Sequence, residues 1–342
     1  MGAVRRIALD AMGGDFAPHN EVKGAVAASR LFKGSTPVEI VFIGREAEIR
    51  ASLKDVDTSG MRYSIAHADD VVTMDDEPSS VIKKKRQSSL YIGVDLHKKG
   101  EVEGFVSAGN TGAVMSTATL LLGRIKGVSR PTIGAFFPTE KTGIPTLVLD
   151  VGANVDSKPR HLYEFGVMGS IYSSHIIGNE NPRVGLLNVG EEEVKGTEVV
   201  QQAHELLKNS GLNFIGNVEG RDIFKGSADV VVCDGFIGNI VLKFGESMLG
   251  FLKSKIKSYS ERGIAQKLSV GAIAPTLKKV LKDIDYQEYG GVPLLGVNGV
   301  VIIGHGSSSP MAIQNMLLRA VEVVEKNVNN HIEAALNSPS TP

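Results

Sequence analysis

Short apolar runs recur along the chain, each closing on Gly, Asn or Asp and each followed by a stretch with helical spacing. Runs at 7–10, 38–43, 104–107, 146–151, 184–189, 213–215, 229–233 and 300–303 are apolar on both faces, as strands covered by helices on both sides must be. Between them, helical periodicity predicts helices at 20–32, 110–123, 160–177, 196–209 and from about 309 to 335. This alternation predicts an α/β fold with a largely parallel central sheet, helices on both faces and right-handed crossovers.

One stretch breaks the rhythm. From 245 to about 286 no strand pattern occurs, and two helical stretches, 246–260 and 265–284, predict a helical hairpin that projects from the body. Pro275 is expected to interrupt the second of them. The chain therefore reads as one α/β domain over 1–336 with a hairpin insertion at about 246–286. The tail NSPSTP at 337–342 is expected to be disordered.

Composition narrows the class. The 342 residues are 42% hydrophobic and 22% charged, enough for a large core. A net charge of −1 gives no bulk attraction to nucleic acid, so none is expected as a partner. The single cysteine, Cys233, allows no internal disulfide and fits the cytoplasm. It reads as a small buried residue in a strand. No Cys/His cluster points to zinc, and no metal or cofactor is expected. The N-terminal apolar run is too short for a signal peptide, and no window approaches the ~20 apolar residues of a spanning helix.

In open parallel sheets, ligands bind beyond the carboxyl ends of the strands, so the residues just after each run are the candidates for chemistry. The first loop carries Asp10, Gly13, Gly14 and Asp15, with paired glycines that let backbone approach a ligand. The second carries Ser107, Gly109, Asn110, Thr111 and Gly112 and opens a helix, where free N–H groups and the helix dipole favour an anion. The alternative is an ordinary capped helix start with Asn110 or Thr111 as the cap, which the glycines bracketing it make the weaker reading. Further loops bring Asn154 after Asp150, Asn188 and then Lys195, Asp234 with Gly238 and Asn239, and His305 before Ser307 and Ser308. A phosphate-binding P-loop, a dinucleotide fingerprint and a nucleophile elbow are all missing from the sequence.

Taken together, DAMGGD at 10–15, SAGNTGA at 107–113, LDVGAN at 149–154, GLLNVGEE at 185–192, Lys195-Gly196, GNVEGRD at 216–222, DGFIGN at 234–239, YGG at 289–291 and HGSS at 305–308 resemble the bacterial phosphate acyltransferases of the PlsX family. The resemblance runs from about Ile7 to Asn327. It implies transfer of a fatty acyl group from acyl carrier protein to inorganic phosphate. The acyl phosphate would then pass to a membrane glycerol-phosphate acyltransferase that begins phospholipid synthesis. It also implies a fold similar to isopropylmalate dehydrogenase and to phosphotransacetylase, and a homodimer. Within that reading, Lys195 neutralises phosphate or the developing oxyanion, Asn239 orients the thioester carbonyl and His305 protonates the leaving thiol. The glycine-rich loops named above hold phosphate and substrate.

Two surfaces complete the expectation. Acyl carrier protein is acidic, and Lys83, Lys84, Lys85 and Arg86 form the densest basic cluster, although such a run is as often a solvated helix face. In the hairpin, Leu268, Val270, Ile273, Leu277, Val280 and Leu281 mix with Lys267, Lys278, Lys279 and Lys282. This pattern suits a dimer contact, with a membrane-touching tip around 271–275. The rival readings are a decarboxylating dehydrogenase of the same general fold, a phosphotransacetylase acting on acyl-coenzyme A, and a membrane-surface scaffold.

Overall fold

The computed structural model describes residues 4–32, 36–141, 143–282 and 290–338. Among the described residues, eleven strands form one sheet. They are β1 (Arg5–Asp10), β2 (Val38–Gly44), β3 (Arg62–His67), β4 (Gly104–Ser107), β5 (Thr132–Phe137), β6 (Thr146–Leu149), β7 (Val184–Leu187), β8 (Phe214–Val218), β9 (Val230–Val232), β10 (Val292–Leu295) and β11 (Val300–Ile303). Their order across the sheet is β3-β2-β1-β4-β11-β10-β5-β6-β9-β7-β8.

The helices are α1 (His19–Ser29), α2 (Glu46–Lys54), α3 (Pro78–Lys84), α4 (Ser89–Lys98), α5 (Thr111–Leu122), α6 (Pro159–Tyr172), α7 (Glu198–Lys208), α8 (Gly220–Lys225), α9 (Gly235–Ser260), α10 (Ile264–Lys282), α11 (Pro310–Glu325) and α12 (Val328–Leu336). A π-helical turn, Ser173–Ile177, extends α6.

The alternation read in the sequence divides the core in two. Ile7, Leu9, Ile40, Phe42, Leu147 and Leu149 face α1, α6 and α11 on one side. Ala8, Val41, Ile43, Phe105 and Val148 face α4 and α5 on the other. Neighbouring residues of one strand thus serve opposite faces, which is why the runs are apolar throughout.

Three strands were not legible in the sequence. β3 is an edge strand, RYSIAH, with mostly exposed or half-buried positions. β5 holds a glycine, and β10 holds Pro293 in a central strand, both of which speak against a strand from pattern alone. β10 pairs antiparallel with β11 and with β5, and β5 pairs antiparallel with β6. The other described pairs are parallel. Three successive reversals make the β4/β11 half and the β6/β9 half run in opposite senses. The expected single carboxyl edge is therefore two edges, one from each half.

The long C-terminal helix expected over 309–335 is two helices, α11 and α12, broken where Asn327 takes φ 48°. The hairpin also differs from expectation. Its first helix begins at Gly235, within the strand-end loop, and runs 26 residues. By length and composition α9 could cross a membrane, which the sequence windows did not suggest. The turn of the hairpin is at 261–263, so 271–275 lies inside α10, which continues through Pro275. Ile284 and Tyr286 lie outside the described residues, as do the side chains of Leu281 and Lys282.

Candidate active site

A cleft of about 320 Å³ opens over the middle of the sheet. Both halves contribute strand ends to it. Thr111 and Gly112 come from the start of α5, and Gly304, His305 and Ser308 from the loop after β11. From the other half come Val151 and Gly152 after β6, and Asn239, Lys243 and Glu246 on α9. Ile133, Ala135, Phe136, Val292 and Met316 give it an apolar wall.

The first loops brace one another. Asp10 is buried, accepts from Ser107 Oγ at 2.8 Å and from Met12 N–H at 3.1 Å, and burial raises its pKa against those hydrogen bonds. Ser107 Oγ accepts from Gly109 N–H at 3.1 Å. Asp10 and Ser107 thus hold the 107–112 loop in place from beneath. Asn110 caps α5, its Oδ1 accepting from Ala113 N–H at 3.0 Å. Its amide donates to Thr73 O, Met74 O and Asp76 O, each at 3.2 Å. Asn110 is therefore committed to the protein, and Thr111 and Gly112 present the free first-turn amides of α5. Asp15 N–H donates to Gly306 O at 2.8 Å, which ties the Gly13–Gly14 loop to the His305 loop.

The second wall is built on Asp150. Its carboxylate accepts from Gly152 N–H (3.0 Å), Ala153 N–H (2.7 Å), Asn154 N–H (2.8 Å) and Asn154 Nδ2 (2.7 Å). Burial outweighs these donors and lifts its pKa to about 6. Asn154 is a loop brace, its Nδ2 also donating to Pro131 O at 2.8 Å. Asp234 caps α9, accepting from Ile237 N–H at 2.9 Å. The first turn of α9 then lies directly on the Asp150 loop. Gly235 N–H donates to Asn154 O at 2.8 Å, and a Cβ at Gly235 would come within 2.7 Å of Asn154 N. This contact leaves Asn239 above Gly152, with its side chain 3.5 Å from where a Cβ would be.

His305 faces the cleft, with Nδ1 at 2.9 Å from Ser307 Oγ. Cys233 is buried, donates to Asp150 O at 3.3 Å, and burial pushes its thiol pKa up, so it is inert.

Two expected residues stand apart. Lys195 and Asn188 lie on the exposed loop after β7, outside the cleft lining. Asn188 Nδ2 donates to Lys195 O at 3.0 Å, and Lys195 Nζ is 4.0 Å from Glu192 Oε1. In the cleft the lysine is Lys243, paired with Glu246 at 2.8 Å. Lys243 is one helical turn beyond Asn239 and so on the same face. It was missed because the helix was expected to begin at 246 instead of at the Asp234 cap.

Of the basic cluster, Lys83, Lys84 and Arg86 are exposed at the end of α3. Lys85 is tied to Asp76 at 2.6 Å and to Val71 O at 2.8 Å. α3 packs on α5 beside the cleft, with Pro78 against Gly112. Away from the cleft, Glu193, His204 and Glu205 bring ligand atoms within 4.8 Å of one another. Lys208 already pairs with Glu193 at 2.8 Å, so this reads as an ion-pair cluster.

Comparison with known proteins adds four findings. The sequence model of the family described as "Fatty acid synthesis protein" matches residues 5–331. The chain is 47% identical over 334 residues to a protein of Halothermothrix orenii named phosphate acyltransferase, covering 97% of this chain and 98% of the relative. It is 49% identical over 323 residues to the protein of that name from Heliobacterium modesticaldum, covering 94% and 95%. The fold is similar to a phosphotransacetylase from Streptococcus pyogenes, with a TM-score of 0.61, 18% identity and 95% of each chain covered.

Proposed function

The chain belongs to the fatty acid synthesis protein family and is a phosphate acyltransferase; we propose that its cleft transfers a fatty acyl group from acyl carrier protein to inorganic phosphate. The observation that carries this reading is that the first turn of α5 and the α9 residues Asn239 and Lys243, from its second turn onward, line one apolar-walled cleft together. The α5 N-terminus suits an anion, and the apolar wall suits the acyl group it attacks.

A phosphate oxygen attacks the thioester carbonyl carbon, the carbonyl oxygen becomes an oxyanion, and the carbon–sulfur bond breaks. The thiolate leaves with the carrier protein and takes up a proton. Phosphate is partly dianionic near neutral pH, so positioning and charge neutralisation matter more than a strong base. The first-turn amides of Thr111 and Gly112 hold phosphate. Asn239 donates its amide to the carbonyl oxygen as charge develops there. His305 supplies the proton to the thiolate. Lys243 neutralises charge within the cleft, and Lys195, on the exposed loop after β7, is the second candidate for that role.

The decisive experiment is trapping of acyl phosphate, as hydroxamate, from acyl carrier protein thioester and phosphate. Acyl-coenzyme A runs in parallel, and Asn239→Ala serves as the variant. Turnover should require phosphate and the carrier protein and should fall at least about a hundredfold in the variant. Equal turnover on acyl-coenzyme A would favour a general phosphotransacylase. Wild-type turnover in Asn239→Ala would remove that assignment.

The chain works as a homodimer in the cytoplasm. Its α9 carries Phe236, Ile240, Phe244 and Phe251 exposed along one face, a stripe that a second copy can cover. On α10, exposed Leu268, Ile273 and Val280 beside Lys267, Lys278 and Lys279 give a basic apolar surface for peripheral membrane contact. Such contact would deliver acyl phosphate to a membrane glycerol-phosphate acyltransferase.

A further inference from the structure

A second cavity, of about 280 Å³, lies under α9 next to the reaction cleft. The two adjoin: Phe136, Leu242 and Glu246 line both. Its floor is Phe137, set edge-on against Phe224 with ring centroids 6.1 Å apart. Its roof is the α9 face that carries Leu242, Gly245, Leu249 and Leu252. Gly245 brings that helix close, since a Cβ there would lie 3.0 Å from Phe137 Cε1.

The chemistry of the lining restricts the occupant. Beyond Glu246 at the junction, its ionisable side chain is Glu140, which is exposed. Among the described residues, no lysine, arginine or histidine lines it to meet a phosphate. Hydrocarbon is what this lining accepts, and the neighbouring cleft offers polar groups for a head group joined to it. From Asn239 to Leu252 the helix runs about 20 Å, comparable to a long extended alkyl chain.

We propose that this recess holds the fatty acyl chain of the substrate, with the reacting carbon at Asn239 and the methyl end towards Leu252. The proposal rests on the acyl-transfer reading above and adds where chain length is measured. A second copy of the chain could meet Met248 and Leu252, which are exposed at the outer rim. It would not reach Phe137, which is 4% exposed. The buried floor and the cleft beside it therefore favour the acyl chain. Each methylene held in the recess should tighten binding about fourfold, equivalent to about 0.8 kcal/mol per buried CH₂.

Two readouts test this, each taken on wild type, Leu249→Trp and Leu249→Ala. The first is kcat/KM for acyl-phosphate formation from butyryl and palmitoyl carrier protein. The second is calorimetric binding of butyl and dodecyl phosphonate, which needs no turnover. Wild type should prefer the longer member in both. Leu249→Trp should cut the long-to-short ratio at least about tenfold, the effect of excluding two or more methylenes. Leu249→Ala should lower the same ratio by a smaller factor. If phosphonate binding shows this pattern while no acyl phosphate forms, the recess stands and the acyl-transfer reading fails. If turnover proceeds and the ratio is the same in all three proteins, the recess is not the acyl site. A loss equal at both lengths, accompanied by dissociation to monomer in light scattering, would also overturn it and give the groove to a second copy.

Discussion

Gly238 sits directly on Asp150: a Cβ at Gly238 would overlap the Asp150 carbonyl oxygen and come within 2.9 Å of Cys233 Sγ. The obstacle is backbone on one side and a buried residue on the other, so neither can yield cheaply. Gly238→Ala should therefore lift the first turn of α9 and carry Asn239 with it. Overpacking of this kind costs about 1–3 kcal/mol. Stability should fall by at least about 2 kcal/mol in urea unfolding. Turnover should fall at least about tenfold, because small displacements at a reacting centre cost that much. A variant with wild-type midpoint and turnover would mean that α9 is not seated as described.

A buried carboxyl near the Gly13–Gly14 loop gives a pH signature. Glu21 is 1% exposed, its Oε2 has no hydrogen-bond partner, and burial lifts its pKa to about 8, with Asp10 adding repulsion. Folded, it holds its proton where the unfolded chain has lost it, so its contribution is complete below about pH 4.5. That contribution is lost as pH rises towards 8. Asp150, lifted to about 6, acts in the same direction over a lower window. Glu21→Gln removes the larger part. Its melting temperature should gain on wild type steadily between pH 5 and 8, on the order of several degrees by pH 8. A constant difference across that range would contradict a raised pKa.

Much of this was readable in the chain because the runs that form β1, β2, β4, β7, β9 and β11 are apolar on both faces, and pattern alone identifies such strands. β5 and β10 escaped because Gly134 and Pro293 look like strand breakers, and they hold their places through antiparallel partners that no local pattern reveals. Those two strands reverse the sheet, so no local sequence reasoning could have placed Thr111 and Asn239 across one cleft. Residue types were legible, but duties were less so. Asn110, Asn154 and Asp234 have the polarity of ligands, yet each is occupied by capping or bracing. Lys243 falls ahead of the helix expected from 246, so only the cap at Asp234 and the earlier start of α9 give it a face.

The two lysines separate by position. Lys243→Ala removes a cation lining the cleft and should lower kcat/KM at least about tenfold, chiefly by raising the KM for phosphate. Lys195→Ala should also impair turnover if it shares in neutralising phosphate. If only Lys243→Ala is impaired, Lys195 has no part in neutralising phosphate. Steady-state kinetics with phosphate as the varied substrate make the comparison.

Carrier-protein docking should follow the exposed basic residues beside α5. Lys84→Glu/Arg86→Glu should raise the KM for the acyl carrier protein thioester about tenfold or more, with little change in kcat. The wild-type KM should rise with added salt, and the variant should be less sensitive. Lys85→Glu is not a substitute for this test, because Lys85 holds Asp76 and would disturb the loop beneath Asn110. An unchanged KM in the double variant would move the docking site elsewhere.

The hairpin makes two separable predictions because its two helices expose different faces. Phe244 is 68% exposed and Phe251 60%, both on α9. Phe244→Glu/Phe251→Glu should convert a dimer to monomer in light scattering, since a buried charge in an apolar contact costs several kcal/mol. Leu268 and Ile273 are exposed on α10. Leu268→Glu/Ile273→Glu should leave the dimer intact while reducing flotation with anionic liposomes severalfold. Equal flotation would show that α10 does not touch the membrane. A monomer from the α10 pair would instead place the second copy on α10, and the exposed stripe on α9 would need another partner.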